Sequence, residues 1–152
     1  NTLAVIKKKM KITEEYFTAC ANGDLDTVKK IIETGSLNNI DIKSPEGWTG
    51  LIISCFNKRY EIVNFLIANK ANINATNTKG TSVLMYAKTP VQQNQDDTKT
   101  LKLLIDAGAD INHLDSFNKS ILDYVMDNGA FKLGEWLISK GAKYGKNIKQ
   151  IK

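Results

Sequence analysis

The sequence repeats itself at intervals of 35, 38 and 33 residues, and this periodicity restricts the fold more than any other feature. The string KANIN at 70–74 returns as GADIN at 108–112. A further copy begins GAK at 141–143, and an earlier, eroded copy reads GSLN at 35–38. Periods of this size indicate stacked supersecondary units that share one continuous hydrophobic core.

Each copy of the string follows an apolar segment whose hydrophobic residues recur at helical spacing. These segments are VKKII at 28–32, VNFLI at 63–67, LKLLI at 101–105 and LGEWLI at 133–138. A second repeated element reads GWTGL at 47–51, GTSVL at 80–84 and NKSIL at 118–122. Its hydroxyl residue, at Thr49, Ser82 and Ser120, is predicted to cap the helix that follows.

These residues resemble the ankyrin-repeat family, whose units read G-x-T-x-L, then V-x-x-L-I, then G-A-x-I-N. The resemblance covers about residues 13–144. It implies an all-α fold, an α-solenoid of stacked helix-turn-helix units with hairpin-like loops. The family's T-P-L-H tetrapeptide is absent, and Gly50, Val83 and Ile121 stand at its proline position. We therefore expect a divergent array that apolar stacking stabilises.

The repeats divide the chain into a basic segment over 1–11, a repeat domain over 12–144 and a basic tail over 145–152. The four repeats are expected at about 13–44, 45–77, 78–115 and 116–144. First helices are predicted near 13–22, near 49–57, from Ser82 to a stop at Pro90, and near 120–128. Second helices are predicted near 25–34, 59–69, 98–107 and 131–140.

Repeat three contains about five extra residues within 89–97. Pro90 is expected to stop its first helix because proline lacks the backbone N–H. The remainder is polar and predicts an exposed loop that does not pack. Asp96 and Asp97 in this loop lack the further ligands that a metal site needs.

Positive charge is concentrated at the two ends of the chain. The net charge is +5. Lysines at the ends account for more than this excess: Lys7, Lys8, Lys9, Lys11, Lys140, Lys143, Lys146, Lys149 and Lys152. Arg59 is the only arginine, although arginine suits phosphate and base contacts best. We therefore do not expect a nucleic-acid partner. Attachment of the lysine-rich ends to an anionic surface, nucleic acid or membrane, stays an alternative.

No apolar run reaches the length that spans a bilayer. The apolar run at 3–6 is too short for a signal peptide, and its lysines follow rather than precede it. A cytoplasmic location is expected. Because the chain begins with Asn rather than Met, removal of an export signal stays an open alternative.

No residue pattern indicates catalysis, a cofactor or a metal. His113 is the only histidine, and we interpret it as an exposed structural residue at a hairpin tip. Cys20 and Cys55 occupy the same position of adjacent repeats, where helices about 8–10 Å apart are beyond disulfide reach. We interpret both cysteines as small core residues. The expected protein is a monomer that is not an enzyme and has no small-molecule substrate.

The ankyrin resemblance implies a concave face built from hairpin tips and the exposed sides of the first helices. Several aromatic and apolar residues fall at variable positions of that face. The candidate partner-binding residues are Trp48, Ile53, Phe56, Tyr86, Phe117 and Tyr124. Aromatic side chains are frequent interface anchors, so we predict a protein–protein interaction module without catalysis. A structural piece of a longer repeat array is the remaining alternative.

Overall fold

The computed structural model describes residues 1–148, which form eight α-helices in four pairs. The first helices of the pairs are α1 (Thr2–Asn22), α3 (Gly50–Phe56), α5 (Val83–Val91) and α7 (Ile121–Asp127). The second helices are α2 (Leu25–Glu33), α4 (Tyr60–Ala68), α6 (Lys99–Asp106) and α8 (Phe131–Ser139). Consecutive first helices pack on one another, as do α2 with α4 and α4 with α6. The predicted all-helical solenoid is confirmed.

Hydroxyl caps begin the short first helices where the repeated element predicts them. The Thr49 and Ser82 hydroxyls each accept the backbone N–H three residues ahead at 3.2 Å. Ser120 accepts the Asp123 N–H at 3.3 Å, and the Asp123 carboxylate accepts the Ser120 N–H in return. These bonds satisfy donors that the first helical turn would otherwise leave without partners.

The second helices of the last three pairs end at the repeated Gly-Ala or Lys-Ala dipeptide. Gly108 and Gly141 adopt φ values of 106° and 98°, which glycine tolerates without strain. Lys70 takes the same place in the second pair with a φ of 70°. The turn is therefore retained at a position where a side chain is unfavourable.

Side-chain hydrogen bonds connect each hairpin to the next one. Asn74 and Asn112 each accept a backbone N–H of the following hairpin, at 2.9 and 2.8 Å. Asp41 makes the same bond one repeat earlier, at 2.8 Å. Asp41 therefore occupies the position of Asn74, although the string at 35–38 is eroded. The last residue of the repeated string holds neighbouring units in register.

A tyrosine packed against a glycine forms the contact between α1 and α3. Tyr16 is fully buried, and its hydroxyl donates to the Ile40 carbonyl at 3.0 Å. A Cβ atom on Gly50 would lie 2.5 Å from the Cζ atom of that ring. Any side chain at residue 50 would clash with the ring, which explains why glycine replaces the family's proline there.

The insertion in the third pair is only partly the exposed loop that the sequence predicts: Thr89, Gln93, Asn94 and Asp96 are exposed, whereas other residues contact the neighbouring repeats. Helix α5 continues past Pro90 to Val91, whose side chain is buried. Gln95 accepts the Leu133 N–H at 2.7 Å and so caps α8, which has no capping side chain in its own N-cap residue. The two aspartates after Gln95 form ion pairs with lysines of the second and fourth pairs. The insertion therefore joins both neighbouring repeats.

Both ends of the repeat domain carry additional structure. Helix α1 begins at Thr2, well before the predicted start near residue 13, and the Asn1 side chain caps it by accepting the Ala4 N–H at 3.1 Å. Residues 1–11 are exposed throughout. At the other end, the Gly145 N–H donates to the Asp123 carboxylate at 3.0 Å. Residues 149–152 of the predicted tail lie outside the described residues.

Candidate protein-binding surface

A groove of about 570 Å³ opens on the face formed by α1, α3, α5 and the hairpin tip at 44–48. The residues that line the groove are Phe17, Thr18, Ala21, Ser44, Glu46, Trp48, Ile52, Ile53, Phe56, Asn57 and Tyr86. Glu46 is the only charged residue of this lining. The groove has the volume of an ordinary ligand site, about 300–1,000 Å³, and mostly apolar walls.

Trp48 is held at the groove by a tight hairpin tip. Its backbone N–H donates to the Ser44 hydroxyl at 3.1 Å, and Gly47 turns the chain with a φ of 86°. A Cβ atom on Gly47 would also lie 3.0 Å from the Asn77 Cα, so this tip requires glycine. The indole Nε1 donates to the Tyr86 hydroxyl at 2.9 Å, while 38% of Trp48 stays exposed. The ring is therefore both oriented and accessible.

Tyr86 connects the groove to the hairpin of its own repeat. Its hydroxyl oxygen accepts from Trp48 Nε1 at 2.9 Å and from Asn77 Nδ2 at 2.8 Å. The Asn77 Oδ1 atom accepts the backbone N–H groups of Lys79 and Thr81 at 2.9 and 2.8 Å. Because its oxygen already accepts two hydrogen bonds, the Tyr86 hydroxyl can donate its own hydrogen bond to a group that enters the groove.

Helix α3 supplies the apolar wall of the groove through Phe56 and Ile53. Phe56 is 48% exposed, and its ring meets the Tyr86 ring edge to face, with centroids 6.3 Å apart. Ile53 is half-buried. The structure thus brings together four of the six candidate residues predicted from the sequence: Trp48, Ile53, Phe56 and Tyr86.

Phe17 is a groove residue that the repeat pattern did not reveal. Its equivalent in the next repeat is Ile52, which is 1% exposed, whereas Phe17 is half-buried. The difference arises because no helix pair precedes α1 within residues 1–148. The sequence signal for Phe17 was an apolar residue at a core position of the first repeat, one side of which no helix pair covers within residues 1–148.

Phe117 and Tyr124, the other two candidates, lie outside the groove on the fourth pair. Phe117 is 65% exposed at the hairpin tip. The Tyr124 hydroxyl donates to the Asp115 carboxylate. The Lys119 ammonium lies 4.5 Å from the centre of the Tyr124 ring and 2.8 Å from the Asp127 carboxylate. We call Asp115, Lys119, Tyr124 and Asp127 the Tyr124 cluster.

The Tyr124 cluster is charged, in contrast to the groove. Burial and the hydrogen bond to Asp115 raise the pKa of Tyr124 to about 12, so the phenol is neutral at physiological pH. A second lysine, Lys88, places its ammonium 5.4 Å from the centre of the same ring. Lys88 is buried, and this burial lowers the pKa of its amine.

Comparison with known families decides what kind of repeat this is. A family model described as ankyrin repeats in three copies matches residues 16–90, and a single ankyrin-repeat model matches residues 79–116. The two matches together span more than half of the chain. The chain belongs to the ankyrin-repeat family. The fourth helix pair continues the ankyrin architecture beyond the matched residues.

Curated relatives contain ankyrin regions similar to part of this chain. Palmitoyltransferase AKR1 of Saccharomyces cerevisiae is 44% identical over 61 residues, which cover 40% of this chain and 8% of the relative. Human ankyrin repeat and KH domain-containing protein 1 is 32% identical over 96 residues, with coverages of 62% and 4%. Transient receptor potential cation channel subfamily A member 1 of Drosophila melanogaster is 30% identical over 114 residues, with coverages of 73% and 9%. The chain spans under a tenth of the length of these relatives.

The reactive side chains of this ankyrin domain occupy structural positions. Cys20 and Cys55 are free and buried, as predicted for core residues, and burial raises the pKa of both thiols, that of Cys20 to about 12. His113 is half-buried rather than exposed, because its Nε2 lies 2.7 Å from the Gly80 carbonyl of the preceding hairpin. Within residues 1–148, no group of three or more histidines, cysteines or acids could hold a metal ion. No helix in that range has the length and apolar character to cross a bilayer.

Proposed function

We propose that the protein binds a partner protein through the groove, with Trp48, Phe56 and Tyr86 as its anchors. Ankyrin repeats generally mediate protein–protein interaction. The observation that carries the proposal is an apolar groove whose aromatic side chains are already held by hydrogen bonds and ring contacts. Binding to such a preordered surface costs little conformational entropy.

The chemistry of the groove favours an apolar or aromatic side chain of the partner. Phe56, Ile53 and Phe17 offer apolar walls, and Trp48 offers a large, partly exposed ring. The Tyr86 hydroxyl supplies a donor for a partner carbonyl. This combination of an apolar surface with few, fixed polar groups is typical of specific recognition sites.

We infer that the groove is a binding site rather than a catalytic one. Its lining contains no histidine, cysteine or lysine, and Glu46 is its only carboxylic acid. A general base or nucleophile needs a second group that activates or orients it. The lining also offers no cation to a phosphate backbone, which argues against nucleic acid as the ligand of the groove.

The proposal is tested with a peptide ligand selected from a displayed library against the wild-type protein. We expect Phe56→Ala to weaken the measured affinity by about 30-fold, the effect of losing one central anchor worth about 2 kcal/mol. Phe131→Ala is the matched control, because Phe131 is 59% exposed on α8, outside the groove. Circular dichroism verifies that both variants are folded. Equal affinity of the wild type and Phe56→Ala would show that the peptide binds elsewhere.

A second candidate role, as one section of a longer ankyrin array, is favoured by the outer side of α8. Phe131 and Ile138 are 59% and 48% exposed, and their spacing of seven residues places them on one helix face. A following repeat would cover such a face. Immunoblotting of source cells tests this role, since it requires a polypeptide longer than 152 residues.

A further inference from the structure

The first half of α1 extends the groove-facing side of the molecule beyond the repeat domain. Residues 1–11 are helical from Thr2 onward and exposed throughout. Leu3 and Met10 are 58% and 59% exposed, although they are large apolar residues. We call residues 2–11 the α1 extension.

Helical spacing aligns one side of the α1 extension with the groove. Leu3, Met10 and Phe17 follow one another at intervals of seven residues, which is close to two helical turns. Phe17 lines the groove. The apolar surface of the groove therefore continues along α1 for about 21 Å, the rise of the 14 residues from Phe17 back to Leu3.

Two lysines share this side of the helix. Lys7 and Lys11 are one turn apart, and Lys11 is seven residues before Thr18, which lies at the edge of the groove. Lys11 itself lines the adjoining concavity between α1 and α2, together with Glu14 and Glu15. Lys8 and Lys9 align instead with Ala19 and Tyr16, which are buried on other sides of α1. The four lysines thus form a groove-facing pair, Lys7 and Lys11, and an outer pair, Lys8 and Lys9.

We infer that the partner segment has an acidic part, which lies along the α1 extension while an apolar anchor occupies the groove. This inference rests on the proposed function of the groove and defines the chemistry of its partner. The apolar side of α1 is continuous with the groove, and the groove-facing lysine pair lies beside it. This surface therefore complements an amphipathic segment that has aspartate or glutamate beside its apolar residues. Glu14 and Glu15, which are exposed within one turn of Lys11, are the acids of α1 nearest this side and oppose this partner.

The test uses two twin peptide libraries and the full chain. In one library an aromatic anchor is followed by aspartate and glutamate, and in its twin by asparagine and glutamine. We expect tight binders from the acidic library. Neutralising the groove-facing lysine pair, Lys7→Gln with Lys11→Gln, should weaken those binders about 10-fold at physiological salt. Neutralising the outer pair, Lys8→Gln with Lys9→Gln, should weaken them less than about 2-fold, since the Debye length there is about 8 Å.

The two lysine variants carry the same net charge, so only the helix face differs between them. Glu14→Gln gives the converse result and should tighten binding by about 3-fold. Equal losses from both lysine pairs would overturn the inference. Equal binding by the acidic and neutral libraries would also overturn it. Binding to phosphatidylserine vesicles that depends equally on both lysine pairs would overturn it as well, and would indicate that the lysines bind a lipid surface. If Phe56→Ala still weakens peptide binding about 30-fold in those cases, the groove remains the site and only the acidic partner is rejected.

Discussion

Tyr86 and Tyr124 occupy equivalent positions of neighbouring repeats, yet they belong to surfaces of opposite character. Each hydroxyl is held by the residue that shapes its own hairpin tip, Asn77 in one repeat and Asp115 in the next. Asn77 donates to Tyr86, which leaves the tyrosine oxygen able to accept from Trp48 as well. Asp115 only accepts, so Tyr124 must donate. The amide-to-carboxylate difference at the hairpin tip therefore reverses the direction of the tyrosine's hydrogen bond and adds a charge beside it.

The comparison shows which features the two repeats share and which side chains differ between them. The helix caps, the inter-repeat side-chain bonds and the left-handed turns are the same behind both surfaces. What changes is the side chain at the hairpin tip and the residues that approach the tyrosine ring. Around Tyr86 these are Trp48 and Phe56, whereas around Tyr124 they are lysines. The scaffold is constant, and recognition chemistry is adjusted locally.

The largest expected effect is on stability, when a glycine at a close helix contact behind either surface is replaced by alanine. Gly50→Ala should lower the free energy of unfolding by about 3 kcal/mol, because the new methyl group would overlap the buried, hydrogen-bonded Tyr16 ring. Gly134→Ala, behind the Tyr124 cluster, should change it by less than about 1 kcal/mol. There the methyl group meets the flexible Met126 side chain, and alanine improves helix propensity. Urea denaturation of both variants measures the difference, and equal losses would contradict it.

Removing the hydroxyl of Tyr124 should lower the free energy of unfolding more than removing the hydroxyl of Tyr86. Tyr124→Phe should cost about 2 kcal/mol, because the buried Asp115 carboxylate loses a charge-assisted hydrogen bond. Tyr86→Phe should cost about 1 kcal/mol or less, since its partners are neutral and Trp48 remains partly in water. Thermal and urea unfolding of the two variants give the ranking. The reverse order would mean that the groove, rather than the Tyr124 cluster, depends more on its tyrosine hydroxyl.

Alkaline pH should weaken the Tyr124 cluster, and comparison with Tyr124→Phe isolates this effect from that of other groups whose pKa is raised, such as Cys20. The folded-state pKa of Tyr124 is raised from 10.0 to about 12, so folding favours the neutral phenol. The resulting stabilisation is complete below pH 10 and is lost as the pH rises toward 12. The stability advantage of the wild type over Tyr124→Phe should therefore shrink across this range. Unfolding midpoints of both proteins at several pH values measure it, and a constant advantage would show that the phenol does not titrate in this way.

Periodicity in the sequence was sufficient for the parts of the fold that depend on local signals. The second helices end within a residue or two of the predicted positions, and Thr49, Ser82 and Ser120 cap their helices as predicted. Helical spacing and capping act over three or four residues, so a short string contains the information. The same alignment selected four residues that line one groove.

Features that depend on distant partners were not readable from the sequence. The insertion looked like a polar loop, but Gln95 finds its partner on α8, in the next repeat. His113 looked exposed, but the Gly80 carbonyl lies beside it. Residues 1–11 were predicted as a basic segment outside the repeat helices, although an N-cap at Asn1 begins a helix there. The contacts of Gln95 and His113 join residues 38 and 33 positions apart, which only the three-dimensional arrangement brings together, whereas the Asn1 cap is a local contact that sequence reasoning missed.

The smallest expected effect concerns the turns behind the two surfaces. The turn of the groove-bearing second pair places Lys70 at a φ of 70°, whereas the third and fourth pairs have Gly108 and Gly141 there. Lys70→Gly should raise the free energy of unfolding by about 0.5 kcal/mol, because relief of left-handed strain outweighs the added freedom of the unfolded chain. Lys70→Ala is the matched control and should not stabilise, since it removes the charge but keeps the Cβ atom. Equal stabilisation of both variants against urea would show that the effect comes from removing the charge. The lysine turn and the glycine turns would then be energetically equivalent.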